Sequence, residues 1–173
     1  MLVDGTKIEI RGVDRLDLVH PDLGDLTYKQ QLFVVAHRWA LDTATPLTVE
    51  GWKDNIRAAV TATAPFAIPA ALLAMKLHAI EDRSNGFDQT RKRGGDAWDM
   101  HQLLTRLDAN GSVRAQLALA PPVVRGLVSE GLERVFIARK NLTAGWMRAI
   151  PQAAGVTGDE LALPAESVLV ALS

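Results

Sequence analysis

Residues 69–83 place the strongest constraint on the fold, because they predict a helix that is apolar on nearly every side. Pro69 stands where a first-turn proline is favoured, and residues 70–83 are almost all good helix formers. A helix without a polar face must be covered by other elements of the protein. The chain therefore needs a core around this helix, and its 173 residues suffice for one main domain.

The composition excludes several classes of protein. Nineteen Lys and Arg residues stand against 20 Asp and Glu residues, so the formal net charge is −1 and no general attraction to nucleic acid or acidic membranes is expected. The chain has no cysteine, which excludes disulfides and zinc sites built on thiolates.

The sequence also lacks the signals of membrane insertion and export. The longest apolar stretch, residues 65–75, is about half of the roughly 20 residues that a membrane helix needs. The first residues lack the basic start and apolar core of a secretory signal. Together with the missing cysteines, this leads us to expect a cytoplasmic protein with no membrane partner.

Hydrophobic periodicity predicts an α+β fold, in which a small N-terminal β element is followed by a mainly α-helical C-terminal half. Alternation predicts a strand over 7–10, and helical spacing predicts a helix from residue 27 to before Pro46. Two more short strands are expected over 47–49 and 56–64, although the second could also be helical. After the helix over 69–83, further helices are expected at about 97–107, 112–119, 122–138 and 140–149. The tail beyond Pro151 is expected to dock as a strand or a short helix, interrupted by Pro164.

Residues 84–95 predict a mobile surface loop, because they combine three glycines with the basic run Arg91-Lys92-Arg93. Asp96 is expected to open the next helix as its N-cap. Asp96 and Asp99 are three residues apart, so they would share a face near a helix N-terminus, where the helix dipole favours negative charge.

Lys76 is unusual because it lies within the apolar helix, where a cation needs a partner. Arg83 follows seven residues later, about two turns on, so both cations project from a common face. If the two helices pack as an antiparallel pair, these cations lie near Asp96 and Asp99. Two interpretations remain open: a buried salt-bridge network that fixes helix register, and a phosphate-handling site that binds a triphosphate.

These residues resemble two motifs of the AbiEii-type nucleotidyltransferase toxins, the toxic half of type IV toxin–antitoxin systems in the DNA polymerase beta-like superfamily. Lys76-Leu77-His78-Ala79 and Arg83 match the family's third motif, and the basic run before Asp96-Ala97-Trp98-Asp99 matches the fourth. Met100 replaces the usual leucine, which conserves volume, and Gly95 stands where a lysine is common, which removes one cation. The resemblance spans residues 45–150, with both motifs inside 76–104.

The resemblance implies transfer of a nucleoside monophosphate from a nucleoside triphosphate to an acceptor, which in some relatives is the end of transfer RNA. It implies Lys76, Asp96 and Asp99 as catalytic residues. It also implies Mg²⁺ as a cofactor, a cognate antitoxin as a partner, and a partial nucleotidyltransferase-like α/β lobe over 1–65 before a helical domain over 66–173. The substrate-binding residues that it implies are Lys76, Arg83, Arg91, Lys92 and Arg93.

Two elements of the family's catalytic core have no counterpart here, namely a Gly-Ser pair at a helix N-terminus and an Asp-x-Asp or Asp-x-Glu strand for two magnesium ions. Gly111-Ser112 lies in the helical half with no acidic strand after it. Glu9 is the candidate metal ligand, Asp17 is its rival, and an ordinary exposed strand carboxylate explains Glu9 equally well. We therefore expect the C-terminal part of such an enzyme. The alternative is a truncated or degenerate, non-catalytic paralogue that binds a nucleotide or an antitoxin.

Overall fold

The computed structural model describes residues 2–3, 6–7, 22–53, 56–83 and 87–173. These residues form an α+β fold with a mainly helical C-terminal half, as the periodicity predicted. No helix among them is both long enough and apolar enough to span a bilayer.

Two antiparallel hairpins make up the β part of the described chain. The strands are β1 (Leu2–Val3), β2 (Thr6–Lys7), β3 (Thr45–Lys53) and β4 (Ile56–Phe66). β1 pairs with β2, and β3 pairs with β4 in a register that sets Thr45 opposite Phe66. The second hairpin confirms the strands expected over 47–49 and 56–64. Of the strand expected over 7–10, only Lys7 lies among the described residues.

The helical part confirms most of the helices expected from the sequence. The α-helices are α1 (Tyr28–Asp42), α2 (Pro69–Asp82), α3 (Phe87–Gln102), α4 (Ser112–Ala118), α5 (Pro122–Leu132), α6 (Lys140–Met147) and α7 (Gly158–Leu172). π-helical turns extend α3 through Leu107 and α5 through Ala138. Thr27 begins α1 with a capping box, in which its side chain and that of Gln30 satisfy each other's backbone N–H groups.

The core is centred on α2, as its lack of a polar face requires. Ala70, Leu73 and Leu77 are fully buried there, and α2 packs against α1, α3, α4 and α5. α1 contributes Leu32 and Trp39 to the same hydrophobic core as the helices that follow residue 68. The position of α2 at the centre explains why its charged side chains must find partners on neighbouring helices.

Two expectations about the segment after α2 are wrong. The predicted loop over 84–95 is largely helical, since α3 begins at Phe87 and carries the basic run Arg91-Lys92-Arg93. Asp96 is therefore no N-cap. It lies inside α3, past its middle, and the helix dipole does not account for its charge. One of the glycines that indicated a loop, Gly94, instead serves the packing of α3.

The tail also differs from expectation, because α7 is one continuous helix that contains Pro164. A proline inside a helix removes one backbone hydrogen bond, and the sequence therefore indicated a break. Thr157 begins α7 with a capping box to Glu160, and Leu161, Ala165 and Val168 are fully buried. Capping and burial thus outweigh the cost of the lost hydrogen bond.

Gly94 permits backbone contact between α3 and α6. A Cβ built at Gly94 would lie 2.8 Å from the carbonyl carbon of Trp146, and closer still to its oxygen. A Cβ at the next residue, Gly95, meets no atom within 4 Å. Only Gly94 therefore has a packing reason to lack a side chain, and Gly95 only lowers the helix propensity of α3.

This contrast predicts opposite effects of two neighbouring substitutions. Gly94→Ala should destabilise the fold by about 1–3 kcal/mol, because the added methyl forces α3 and α6 apart. Gly95→Ala should stabilise it by about 0.5–1 kcal/mol, since alanine is the better helix former and its Cβ has space. Urea unfolding followed by circular dichroism measures both changes. Equal effects of the two substitutions would contradict the close approach at Gly94.

Candidate functional site

Four charged side chains from the two motifs meet between α2 and α3. Lys76 Nζ donates to Asp96 Oδ1 at 2.9 Å and to Asp99 Oδ2 at 2.6 Å. Arg83 Nε donates to the other oxygen of Asp96, Oδ2, at 2.7 Å, and its terminal nitrogen lies 2.5 Å from the same atom. The proximity expected from the seven- and three-residue spacings is therefore present. We refer to these four residues as the motif network.

Asp96 is the most buried member of the motif network. Its side chain is 8% exposed, and each of its two oxygens accepts from a different cation. A buried carboxylate without such partners would carry a large desolvation cost. Asp99 is 52% exposed and binds only Lys76, so it is the outer and weaker member.

Lys76 remains a cation within the motif network. Burial lowers the pKa of Lys76, but hydrogen bonds and charges from Asp99 and Asp96 outweigh burial and raise the pKa above its usual value. An ammonium group has three N–H donors, and two of them are used by the carboxylates. The third donor makes no hydrogen bond to a described residue, and the side chain is one-third exposed.

The basic run on α3 divides into two parts. Arg91 and Lys92 are exposed and have no ion pair with a described residue. Arg93 points to the end of α2, where its Nε donates to the carbonyl of Ile80 at 3.3 Å and a terminal nitrogen donates to that of Arg83. Arg93 therefore caps the C-terminal end of α2, where the carbonyl groups favour a cation.

Two residues near Arg93, Trp146 on α6 and Arg139 just before it, were not predicted from the sequence. The Arg93 guanidinium lies over the Trp146 ring, 4.7 Å from its centroid. Arg93, Trp146 and Arg139 all line one pocket. The tryptophans are too scattered in sequence to indicate a site, and nothing local marks Arg139. Contact between α3 and α6, some fifty residues apart, brings them together.

The described residues contain no complete ligand set for the magnesium ion that the resemblance implies. They contain no group of three or more His, Cys, Asp or Glu side chains that could hold a metal ion. Asp96 and Asp99 already pair with cations, which would have to be displaced by Mg²⁺. Glu9, the candidate ligand, and its rival Asp17 both lie outside the described residues.

A second titratable cluster lies between α1 and α2. The Phe33, His37 and His78 rings pack together, with the two imidazole centroids 5.6 Å apart. Burial is the main cause that lowers the pKa of both histidines, and the charge of His37 lowers that of His78 further. Asp82 does not pair with His78, because it binds Lys29 on α1 at 2.8 Å.

Comparison of the chain with protein-family models, curated proteins and solved structures gave no match.

We predict unequal roles for the two carboxylates of the motif network. Asp96→Ala should destabilise the fold by about 3 kcal/mol, because it leaves Arg83 without its carboxylate partner inside the protein. Asp99→Ala should change stability by less than about 1 kcal/mol, since an exposed ion pair contributes little. The urea concentrations at the midpoint of unfolding, compared between variants with the same m-value, measure the difference in stability. Similar losses for both variants would show that Asp96 is not the anchor of the network.

We also predict that the histidine cluster makes stability depend on pH. Because both histidines have a lowered pKa in the fold, the unfolded chain binds protons that the folded chain does not. Stability should fall as the pH drops through about 6.5, the pKa of an unperturbed histidine, and level off below the folded-state values. His78→Gln should reduce this dependence, as measured by thermal midpoints between pH 8 and pH 5, roughly the range in which histidine titrates. An unchanged slope in the variant would refute the assignment.

Proposed function

We propose that this chain is a nucleotidyltransferase-like protein of the AbiEii toxin type, in which Lys76 binds the triphosphate of a nucleoside triphosphate. One observation carries the proposal: the four charged side chains of the two motifs form a single network across α2 and α3. These are the residues to which the resemblance assigns the chemistry. Their contact supports a common role.

The arrangement suits a phosphate ligand through directed hydrogen bonds. Asp96 and Asp99 hold Lys76 Nζ in a fixed place, and Arg83 holds Asp96. A preorganised ammonium donor costs little reorganisation when an anion binds. In this proposal Lys76 contacts the triphosphate, while Asp96, Asp99 and Arg83 position it.

The proposed reaction is transfer of a nucleoside monophosphate. An acceptor hydroxyl oxygen bonds to the α-phosphorus, the bond to the bridging oxygen breaks, and pyrophosphate leaves. The proposal includes transfer RNA as the acceptor, a cognate antitoxin as a partner, a cytoplasmic location, and Mg²⁺ with Glu9 as a ligand. Arg91 and Lys92, exposed on α3, are proposed to contact the phosphates of the substrates.

One observation favours the alternative, a non-catalytic paralogue that binds a nucleotide or an antitoxin. Both carboxylates of the motif network are paired with Lys76, and Asp96 also with Arg83, so neither is available as a metal ligand among the described residues. Metal-dependent transfer needs carboxylates that are free to offset the charge of the ion. Binding and transfer must therefore be measured separately.

We predict that Lys76→Ala weakens the binding of nucleoside triphosphates. Calorimetric titration with each nucleoside triphosphate and magnesium should show binding by the unsubstituted protein. The variant loses a charge-assisted hydrogen bond to the triphosphate, so its affinity for the nucleotide should fall at least about tenfold. Lys29→Ala is the matched control, because it removes another lysine paired with an aspartate of α2. The affinity of Lys29→Ala for the nucleotide should equal that of the unsubstituted protein.

The same proteins separate the two functions. Incubation with α-labelled nucleotide and transfer RNA should label the RNA if the chain transfers, whereas binding without label supports the non-catalytic alternative. If the protein binds none of the four nucleotides, or if folded Lys76→Ala binds them with the same affinity, the triphosphate site is refuted for both the catalytic and the non-catalytic proposal.

A further inference from the structure

A pocket lies where the end of α2 meets α3 and α6. It has a volume of about 270 Å³ and is lined by Ile80, Glu81, Arg93, Arg139, Leu142 and Trp146. We call it the Arg93–Arg139 pocket. None of Lys76, Asp96 and Asp99 lines it, so it is separate from the proposed triphosphate contact.

Arg93 is fixed in the wall of this pocket before any ligand binds. Its guanidinium lies over the Trp146 ring and donates to the carbonyls of Ile80 and Arg83. The next residue of α3, Gly94, contacts the backbone of Trp146 and so keeps this tryptophan close to α3. Nε and one terminal nitrogen are used in these contacts, while the other terminal nitrogen makes no hydrogen bond to a described residue.

Arg139 supplies a second cation, and its side chain has no partner among the described residues. It is exposed at the start of α6 and makes no ion pair or hydrogen bond with its side chain among the described residues. The acidic residue of the lining, Glu81, binds Arg134 at 3.1 Å. The two arginines of the pocket therefore carry positive charge that no carboxylate of the lining offsets.

We infer that the Arg93–Arg139 pocket binds a phosphate group carried by a nucleotide or by a single-stranded RNA. Arginine presents planar, forked N–H donors that match phosphate oxygens in two-point contacts. The Arg93 guanidinium is held over the Trp146 ring, and Arg139, which has no side-chain partner among the described residues, lines the same pocket. The one carboxylate of the lining, Glu81, is already paired with Arg134, so the two arginines are left as donors for a phosphate.

The test compares Arg139→Gln with Arg106→Gln. Both arginines are exposed and have no partner among the described residues, but Arg106 does not line the pocket. Each variant thus removes one positive charge without breaking an interaction of the fold. The probes are a short fluorescent single-stranded RNA, followed by anisotropy, and a nucleoside monophosphate, followed by calorimetry.

We expect Arg139→Gln to weaken binding of at least one probe about tenfold, while Arg106→Gln has little effect. If Arg139→Gln weakens binding of the RNA alone, a nucleic-acid strand is the source of the phosphate. If it weakens binding of the monophosphate alone, the source is a free nucleotide. Equal effects of both variants, or no binding of either probe, would overturn the inference. Repeating the titrations with Lys76→Ala separates this site from the proposed function, because binding in the pocket should persist in that variant.

Discussion

The pairing of the buried Asp96 carboxylate with two cations determines how α2 and α3 pack together. A carboxylate removed from water needs compensation at both oxygens, and only a cation at each provides it here. Lys76 lies within α2 and Arg83 directly follows its last residue, so both reach Asp96 only if the C-terminal half of α2 lies along α3. The ion pairs therefore fix the register of the two helices, which hydrophobic packing alone leaves less defined.

The second side of α3 is fixed by a different interaction, the backbone contact between Gly94 and Trp146. These two constraints leave α3 little freedom to shift between α2 and α6. They also bring Arg93 to the end of α2, where it binds the carbonyl of Arg83 while the Arg83 side chain binds Asp96. Arg83 therefore links the motif network to a wall of the Arg93–Arg139 pocket, because its side chain binds Asp96 and its carbonyl accepts from Arg93.

The sequence was sufficient for the parts that depend on local periodicity. It predicted α2 and the nearness of Lys76 to Asp96, since helical spacing sets which side chains share a face. It also indicated strands at β3 and β4, although the second segment was compatible with a helix. It failed at residues 84–95, where three glycines and a basic run indicated a loop, whereas α3 begins at Phe87 and Gly94 serves a contact with α6. It also failed at Pro164, whose cost is offset by burial of α7. These outcomes depend on tertiary contacts, which local propensity does not contain.

The motif network and the Arg93–Arg139 pocket differ in net charge, which favours different roles in binding an anion. Lys76 and Arg83 balance Asp96 and Asp99, so the motif network has no net charge and can hold a phosphate only through directed donors. The pocket has two arginines against one carboxylate that is itself paired with Arg134. Long-range attraction of a polyanion therefore arises at the pocket, because net charge acts over distances at which a single hydrogen bond does not. In the two proposals taken together, the pocket therefore contributes to the encounter with a polyanion, and Lys76 contributes a directed donor to the bound phosphate.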